Sequence, residues 1–280
     1  MLSYRHSFHA GNHADVLKHL LLYWVLDYFN QKDKPYWYID THSGAGVYDL
    51  ASNEAQKVGE FREGIARLWN AKHLSDALTA FVAHQQKMLP EHYYAGSPCW
   101  AQSLLRDTDK MRCFELHPSD FSLLNQNVKE WRLGRRAVVK QEDGFAGLIA
   151  LLPPVTRRAV ILIDPPYEQK QDYVRVVHTL KEALKRFATG CYLLWYPCLS
   201  RTESQKLPEQ LKKLLPNNYL NAQLHVHAPR ADGFGMHGSG VFILNPPYSL
   251  AQKLQQTLPE LTKLLAQDAG AKYVLDVQIK

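Results

Sequence analysis

The chain has 280 residues, 46% of them hydrophobic and 21% charged, the proportions of a folded globular protein rather than a disordered one. Its formal net charge of +6 mildly favours a polyanionic partner and does not by itself establish nucleic-acid binding. Residues 1–10 have no signal-peptide core, the apolar run 20–26 is too short for a bilayer, and Cys99, Cys113, Cys191 and Cys198 form no CxxC pair, so a cytoplasmic protein without a membrane segment or disulfide framework is expected.

In chain order, a helix is predicted over 13–29, with Asn12 as its cap and Val16, Leu17, Leu20, Leu21, Trp24, Val25 and Tyr28 at helical spacing. Short apolar strands over 36–39, 111–116, 136–140, 159–163 and 191–195 alternate with helical patterns over 119–131, 145–152, 173–187 and 203–215. Such alternation builds βαβ units and a Rossmann-like, doubly wound, mostly parallel α/β sheet. The runs 219–228 and 240–244, joined by a Gly-rich loop, predict a hairpin with an antiparallel edge strand. The stretch between the first two strands is too long for one crossover. Residues 50–94, with helical patterns over 63–69 and 74–88, therefore read as an inserted helical subdomain, leaving 1–49 and 95–280 as the main domain. Ser97 as N-cap and Pro98 at the first helical position would restart the main fold in a helix over 98–106.

The chemistry gathers at the strand ends. Asp40-Thr41-His42-Ser43-Gly44-Ala45-Gly46 follows the first strand, and Gly44 and Gly46 permit positive φ and close approach of a ligand. Without a third glycine or a GK[ST] sequence, this loop is no pyrophosphate or triphosphate cradle. Glu115 ends the second strand, Asp143-Gly144 follows the third, and Asp164-Pro165-Pro166-Tyr167 the fourth. In open α/β sheets ligands bind beyond the C-terminal ends of the strands, so four successive acids there mark a site. The two prolines stop the ladder because neither can donate a hydrogen bond. What remains is a carboxylate, a rigid backbone with free carbonyls and a ring, a set suited to a planar base carrying an exocyclic amine. The Asp164 carboxylate and the Pro165 carbonyl would accept from the amine and localise its lone pair, and Tyr167 would stack on the base.

This order resembles the S-adenosylmethionine-dependent adenine-N6 methyltransferases, whose [DNS]PP[YFW] motif holds the target amine. Tyr4-Arg5-His6-Ser7-Phe8-His9-Ala10-Gly11-Asn12-His13-Ala14-Asp15-Val16-Leu17-Lys18-His19 resembles the opening of the RlmJ-type 23S ribosomal RNA adenine-N6 methyltransferases. The loop at Asp40, Gly96-Ser97-Pro98, Glu115-Leu116-His117-Pro118-Ser119-Asp120, Asp143-Gly144-Phe145 and the Asp164 motif resemble that family too. The likeness runs nearly end to end and is weakest in 50–93 and after 199. It implies a methyltransferase fold, S-adenosyl-L-methionine as cofactor and 23S ribosomal RNA as partner of a monomer that needs no metal. It further implies that Lys18, His19, His42 and Ser97 contact the methionine end of the cofactor, over the loop of Asp40, Gly44 and Gly46. Glu115 would take the ribose hydroxyls, and Asp143 with Gly144 the cofactor adenine. Asp164, Pro165, Pro166 and Tyr167 would form the catalytic motif, with Tyr4, Arg5, His6 and Tyr167 meeting the incoming nucleotide. Ser43 stands where alanine is expected in relatives.

Several rivals exist within the chain. Asn245-Pro246-Pro247-Tyr248 matches the amine-binding pattern, but it ends a strand predicted to run antiparallel, so it should face away from the crevice. Tyr196-Pro197-Cys198 resembles the proline-cysteine pair of enzymes that methylate cytosine carbon 5, and a structural cysteine is the preferred reading. His6, His9, His13 and His19 lack the cysteine or HExxH context of a zinc site. Arg5, His6, Lys18 and the loop 229–238 are the candidate RNA contacts, whereas Arg135-Arg136 and Arg157-Arg158 sit at strand starts on the opposite edge. Two alternatives stay open at this level: a DNA adenine substrate, or a nucleic-acid-binding protein of the same fold without turnover, acting in DNA uptake.

Overall fold

The computed structural model describes residues 5–279. α1 (His13–Asn30) starts where its cap predicts, the Asn12 side chain accepting from the N–H groups of Ala14 and Asp15, and it leads into β1 (Trp37–Asp40). A short antiparallel ribbon of β2 (Val47–Asp49) and β3 (Tyr93–Ala95) encloses α2 (Asn53–Val58), α3 (Ile65–Trp69) and α4 (Asp76–Met88). Then follow α5 (Ser97–Leu104), β4 (Lys110–Phe114), α6 (Pro118–Glu130), β5 (Ala137–Lys140), α7 (Gly144–Leu151), β6 (Ala159–Ile163), α8 (Lys170–Arg186), β7 (Cys191–Cys198) and α9 (Thr202–Lys212). The chain ends in β8 (Tyr219–His225), β9 (Gly238–Leu244), α10 (Leu250–Leu265) and β10 (Lys272–Gln278). No helix among the described residues is long and apolar enough to cross a membrane.

One eight-stranded sheet runs in the order β10-β8-β9-β7-β6-β1-β4-β5. From β7 to β5 all neighbours are parallel; β9 is antiparallel to both β7 and β8, and β10 is antiparallel to β8. The chain leaves β1 towards β4 and β5, then crosses back to β6 on the other side. β1 is therefore the point where the order reverses and where a crevice opens. Register sets its shape. Asp40 lies beside Cys113 and Leu162, so Glu115 and Asp164, each two residues further on, emerge together beyond the sheet edge.

Every residue of β6 is buried because both faces are covered. Val160 and Leu162 point into a core shared with α1, α5 and α10, whereas Ile161 and Ile163 pack with Phe145, Leu148, Val176 and Leu180 beneath α7 and α8. The insertion has no separate core. Ile65, Leu68, Leu78 and Phe81 join the same apolar cluster as α1 and α10. Two expectations change. Ser97 is the first helical residue rather than the cap, a position held by Gly96, because its hydroxyl is bonded elsewhere. The antiparallel edge strand is β10, which the sequence reading passed over, with β9 and β8 lying inside it.

Candidate active site

At the C-terminal ends of β1, β4 and β6 lies a cleft of about 550 Å³, within the range of small-molecule sites. Its floor is the turn after β1. There Gly44 has φ +58° and its N–H donates to Glu115 Oε2 at 2.7 Å, while Glu115 Oε1 accepts from the N–H of His117 at 2.7 Å. Burial raises the Glu115 carboxyl above its ordinary value, although both hydrogen bonds oppose the shift. A side chain at Gly44 would collide with the Tyr48 hydroxyl and one at Gly144 with the Thr41 carbonyl, so glycine is needed where α7 meets this turn. Asp143 caps α7, accepting from Phe145 N–H and Ala146 N–H, and its second oxygen holds Arg175 at 2.6 Å. Burial pushes its carboxyl up, but Arg175 and the cap bonds outweigh that and hold it below the usual range.

On the far wall, Asp164 leaves β6 with Pro165 and Pro166 lining the cleft. Its Oδ2 accepts from Lys18 Nζ at 2.6 Å, and Lys18 also reaches Asp15 Oδ1 at 2.8 Å. His19, one residue on, sets Nδ1 against the Tyr94 hydroxyl at 2.8 Å. Burial lowers the His19 imidazole and raises the Tyr94 phenol, and His19 Nε2 is a buried atom with no protein partner among the described residues. His42 bonds Thr41 Oγ1, packs edge-on against Phe145 and is pushed down to about 4 by burial. His6 lies on Asp15 Oδ2 at 2.8 Å.

The fold thus brings His6, Lys18, His19, His42, Gly44, Ser97, Glu115, Asp143, Gly144, Asp164, Pro165 and Pro166 to one cleft. It sets others apart. Asp40 is fully buried behind the turn, its Oδ2 accepting from Tyr38 Oη at 2.6 Å and Ser97 Oγ at 2.7 Å, so it shapes the loop and does not face a ligand. Gly46 is a packing position against Leu124 and Trp131. Arg5 turns to Glu54 of the insertion at 3.6 Å. Tyr167, expected to stack on a base, is only 2% exposed. Its φ of +51° swings the ring inward against Tyr173 and Trp195, its hydroxyl donates to the Trp195 carbonyl at 3.0 Å, and Arg201 holds its own carbonyl. Tyr4 lies outside the described residues.

The rivals fare differently. Asn245 sits at the opposite sheet edge, since Leu244 pairs with Tyr192 at the start of β7, and its amide donates to the carbonyls of Ala188 and Gly190. Cys198 is buried at the end of β7 and its thiol is pushed up to about 12, out of reach of a neutral-pH nucleophile. Arg158 donates to the carbonyls of Phe29 and Lys34 and Arg136 to that of Arg106, structural roles at the N-terminal strand edge. The loop between β8 and β9 does rim the cleft, to which it contributes Met236.

The cleft also contains residues the sequence reading did not single out. Asp15, Phe145, Arg175, Trp195 and Arg201 all line it. Asp15 had a legible signal as an acid three residues before Lys18 on one helix face, and Phe145 as the residue after Asp143-Gly144.

Residues 33–277 match the family described as Ribosomal RNA large subunit methyltransferase D, RlmJ. The chain is 46% identical over 274 residues to ribosomal RNA large subunit methyltransferase J of Escherichia coli (strain K12), covering 96% of each protein. It is 42% identical over 280 residues to the Haemophilus influenzae protein of the same name, covering 99% of this chain and 98% of that one. Among solved structures, protein LPL1258 from Legionella pneumophila superposes with a TM-score of 0.88 at 32% identity, over 97% of this chain and all of that one.

Proposed function

The chain belongs to the RlmJ family of ribosomal RNA large subunit methyltransferases, and from that premise we propose that it moves a methyl group from S-adenosyl-L-methionine to N6 of an adenine in 23S ribosomal RNA. The observation that carries this reading is the meeting of Asp164-Pro165-Pro166 with Glu115 and Asp143 in one cleft at the sheet's reversal point.

The residues present fit the cofactor. Glu115 Oε1 and Oε2 each keep acceptor capacity beyond one backbone bond, which suits a ribose diol. His19 Nε2, without a protein partner among the described residues, and the N-terminus of α5 at Ser97 suit a carboxylate. Phe145 and the α7 start at Asp143 and Gly144 suit a flat ring. The bound cofactor would supply an electrophilic methyl on sulfur. Asp164, aided by the Pro165 carbonyl, would accept from the substrate amine, localise its lone pair and orient it; holding the reacting atoms about 3–3.5 Å apart in line is most of what such a transfer needs. Trp195 and Pro166 would replace the stacking expected of Tyr167. A looped or unpaired adenine is the favoured target, because extruding it costs less than extruding a paired base.

The test is transfer of tritiated methyl to an unmodified 23S transcript and, separately, to DNA, with nucleoside analysis of the product. N6-methyladenosine in the RNA is the expected outcome. Label in DNA alone, or in neither polymer, would overturn it.

A further inference from the structure

Asp15, on the first turn of α1, is 1% exposed and carries three donors. Its Oδ2 accepts from Gly11 N–H at 2.9 Å and His6 Nε2 at 2.8 Å; its Oδ1 accepts from Lys18 Nζ at 2.8 Å, and the same ammonium reaches Asp164 at 2.6 Å. One buried cation is thus shared by two carboxylates. Besides Lys18, the imidazole of His6 sits on Asp15 Oδ2, and more distant titratable groups surround the carboxylate. Burial pushes His13 and His19 down and Tyr48 and Tyr94 up, while His9 is turned to Glu60. Around Asp164, Asp40 is tied to Tyr38 and Ser97, and His42 to Thr41.

Sharing has a chemical consequence. An ammonium paired with Asp164 alone, in a dry site, would close onto that carboxylate and occupy the lone pairs that a substrate amine must reach. A second carboxylate gives the ammonium another seat a small displacement away. We propose that Asp15 is a positioning residue for methyl transfer: it draws Lys18 off Asp164 when the substrate amine arrives, leaving Asp164 as acceptor. The proposal rests on the reading of Asp164 given above, and it explains why an acid lies on the cleft side of α1 without facing a ligand directly. His6 and Gly11 N–H fix the orientation of the Asp15 carboxylate, so its Oδ1 is presented to Lys18.

The experiment is single-turnover methyl transfer to the 23S transcript by the full chain, with cofactor dissociation constants and RNA KM measured in parallel. Asp15→Asn keeps the shape and the acceptor for Gly11 N–H but removes the charge that attracts Lys18. Its transfer rate should fall about a hundredfold, the scale of a small misplacement at a reacting centre. Cofactor affinity and KM should stay within about threefold. Asp15→Glu, which restores the charge, should recover at least about a tenth of the wild-type rate. An Asp15→Asn protein that transfers at the wild-type rate overturns the proposal, as does one whose loss appears in cofactor affinity alone. Should Asp15→Asn not fold, a folded Asp15→Glu protein as slow as a fully inactive one overturns it by itself. A wild-type protein that methylates no RNA instead defeats the functional reading, which keeps the two failures distinct.

Discussion

Asp164 and Asn245 carry the same four-residue pattern, and their neighbours decide what each does. Asp164 meets Lys18 in the cleft, whereas the Asn245 amide ties two carbonyls before β7 and its oxygen accepts from Asn218. Asp164→Ala should cut transfer by roughly 10²–10³-fold, the scale of losing one hydrogen-bond partner aimed at the reacting group. Asn245→Ala should leave the rate within about threefold and cost about 0.5–1.5 kcal/mol of stability, read by urea denaturation, because the carbonyls of Ala188 and Gly190 lose a donor. Equal losses of activity in both would refute the assignment. Asp40 makes a different claim. Burial raises its carboxyl to about 6, against 3.8 in an unfolded chain, with Tyr38 and Ser97 opposing the rise. Between those values the folded chain holds the extra proton, so this group's contribution is fully present below pH 3.8 and lost as pH rises through 6. Asp40→Asn should therefore gain on wild type by up to about 3 kcal/mol on going from pH 4 to pH 7 in denaturant titrations. The sequence marked Asp40 as a site residue because it sits at a strand end. That it faces inward depends on Tyr38 and Ser97, one of them more than fifty positions away.

Elements were legible where the chain is apolar and local. β6 falls on the predicted residues, and the helix cap at Asn12 holds. β10 escaped because its apolar run, Tyr273-Val274-Leu275, is only three residues long on an edge strand half exposed to solvent, and β2 and β3 because three-residue strands exist only through their pairing. The inward turn of Tyr167 was invisible for a related reason: a left-handed φ at a non-glycine residue is imposed by Arg201 and Trp195, not by local preference. The insertion was legible as helical but not as integral. Phe81 of α4 stacks on Trp100 of α5, with ring centroids 4.7 Å apart and planes 2° from parallel. Phe81→Ala should therefore destabilise the whole protein by about 3–5 kcal/mol in a single cooperative unfolding transition. A separate low-stability transition for the insertion, with the rest unchanged, would show that it is independent after all.

At the scale of the molecule, the buried polar groups oppose one another across the acid range. His13, His42 and His225 are pushed down to about 4 from 6.5, chiefly by burial, with His237 and Lys272 adding to the effect at His225. Each is neutral in the fold while an unfolded chain would bind a proton, so their contribution is present above pH 6.5 and is lost as pH falls towards 4. Asp40 acts with the opposite sign over nearly the same window. The imidazoles held neutral outnumber that one carboxyl, so unfolding takes up protons on balance and stability falls between pH 6.5 and pH 4. Urea midpoints should accordingly fall on acidification, and His13→Gln should flatten the fall by removing one of these imidazoles. The start of α1 that bears His13 also bears Asp15 and Lys18, so acid unfolding should begin at the cleft: at pH 5 the protection of amides 11–19, corrected for the slower intrinsic exchange in acid, should fall before that of β6. Uniform exchange across α1 and β6 would instead mean that the helix carrying the charge chain is no softer than the sheet it serves.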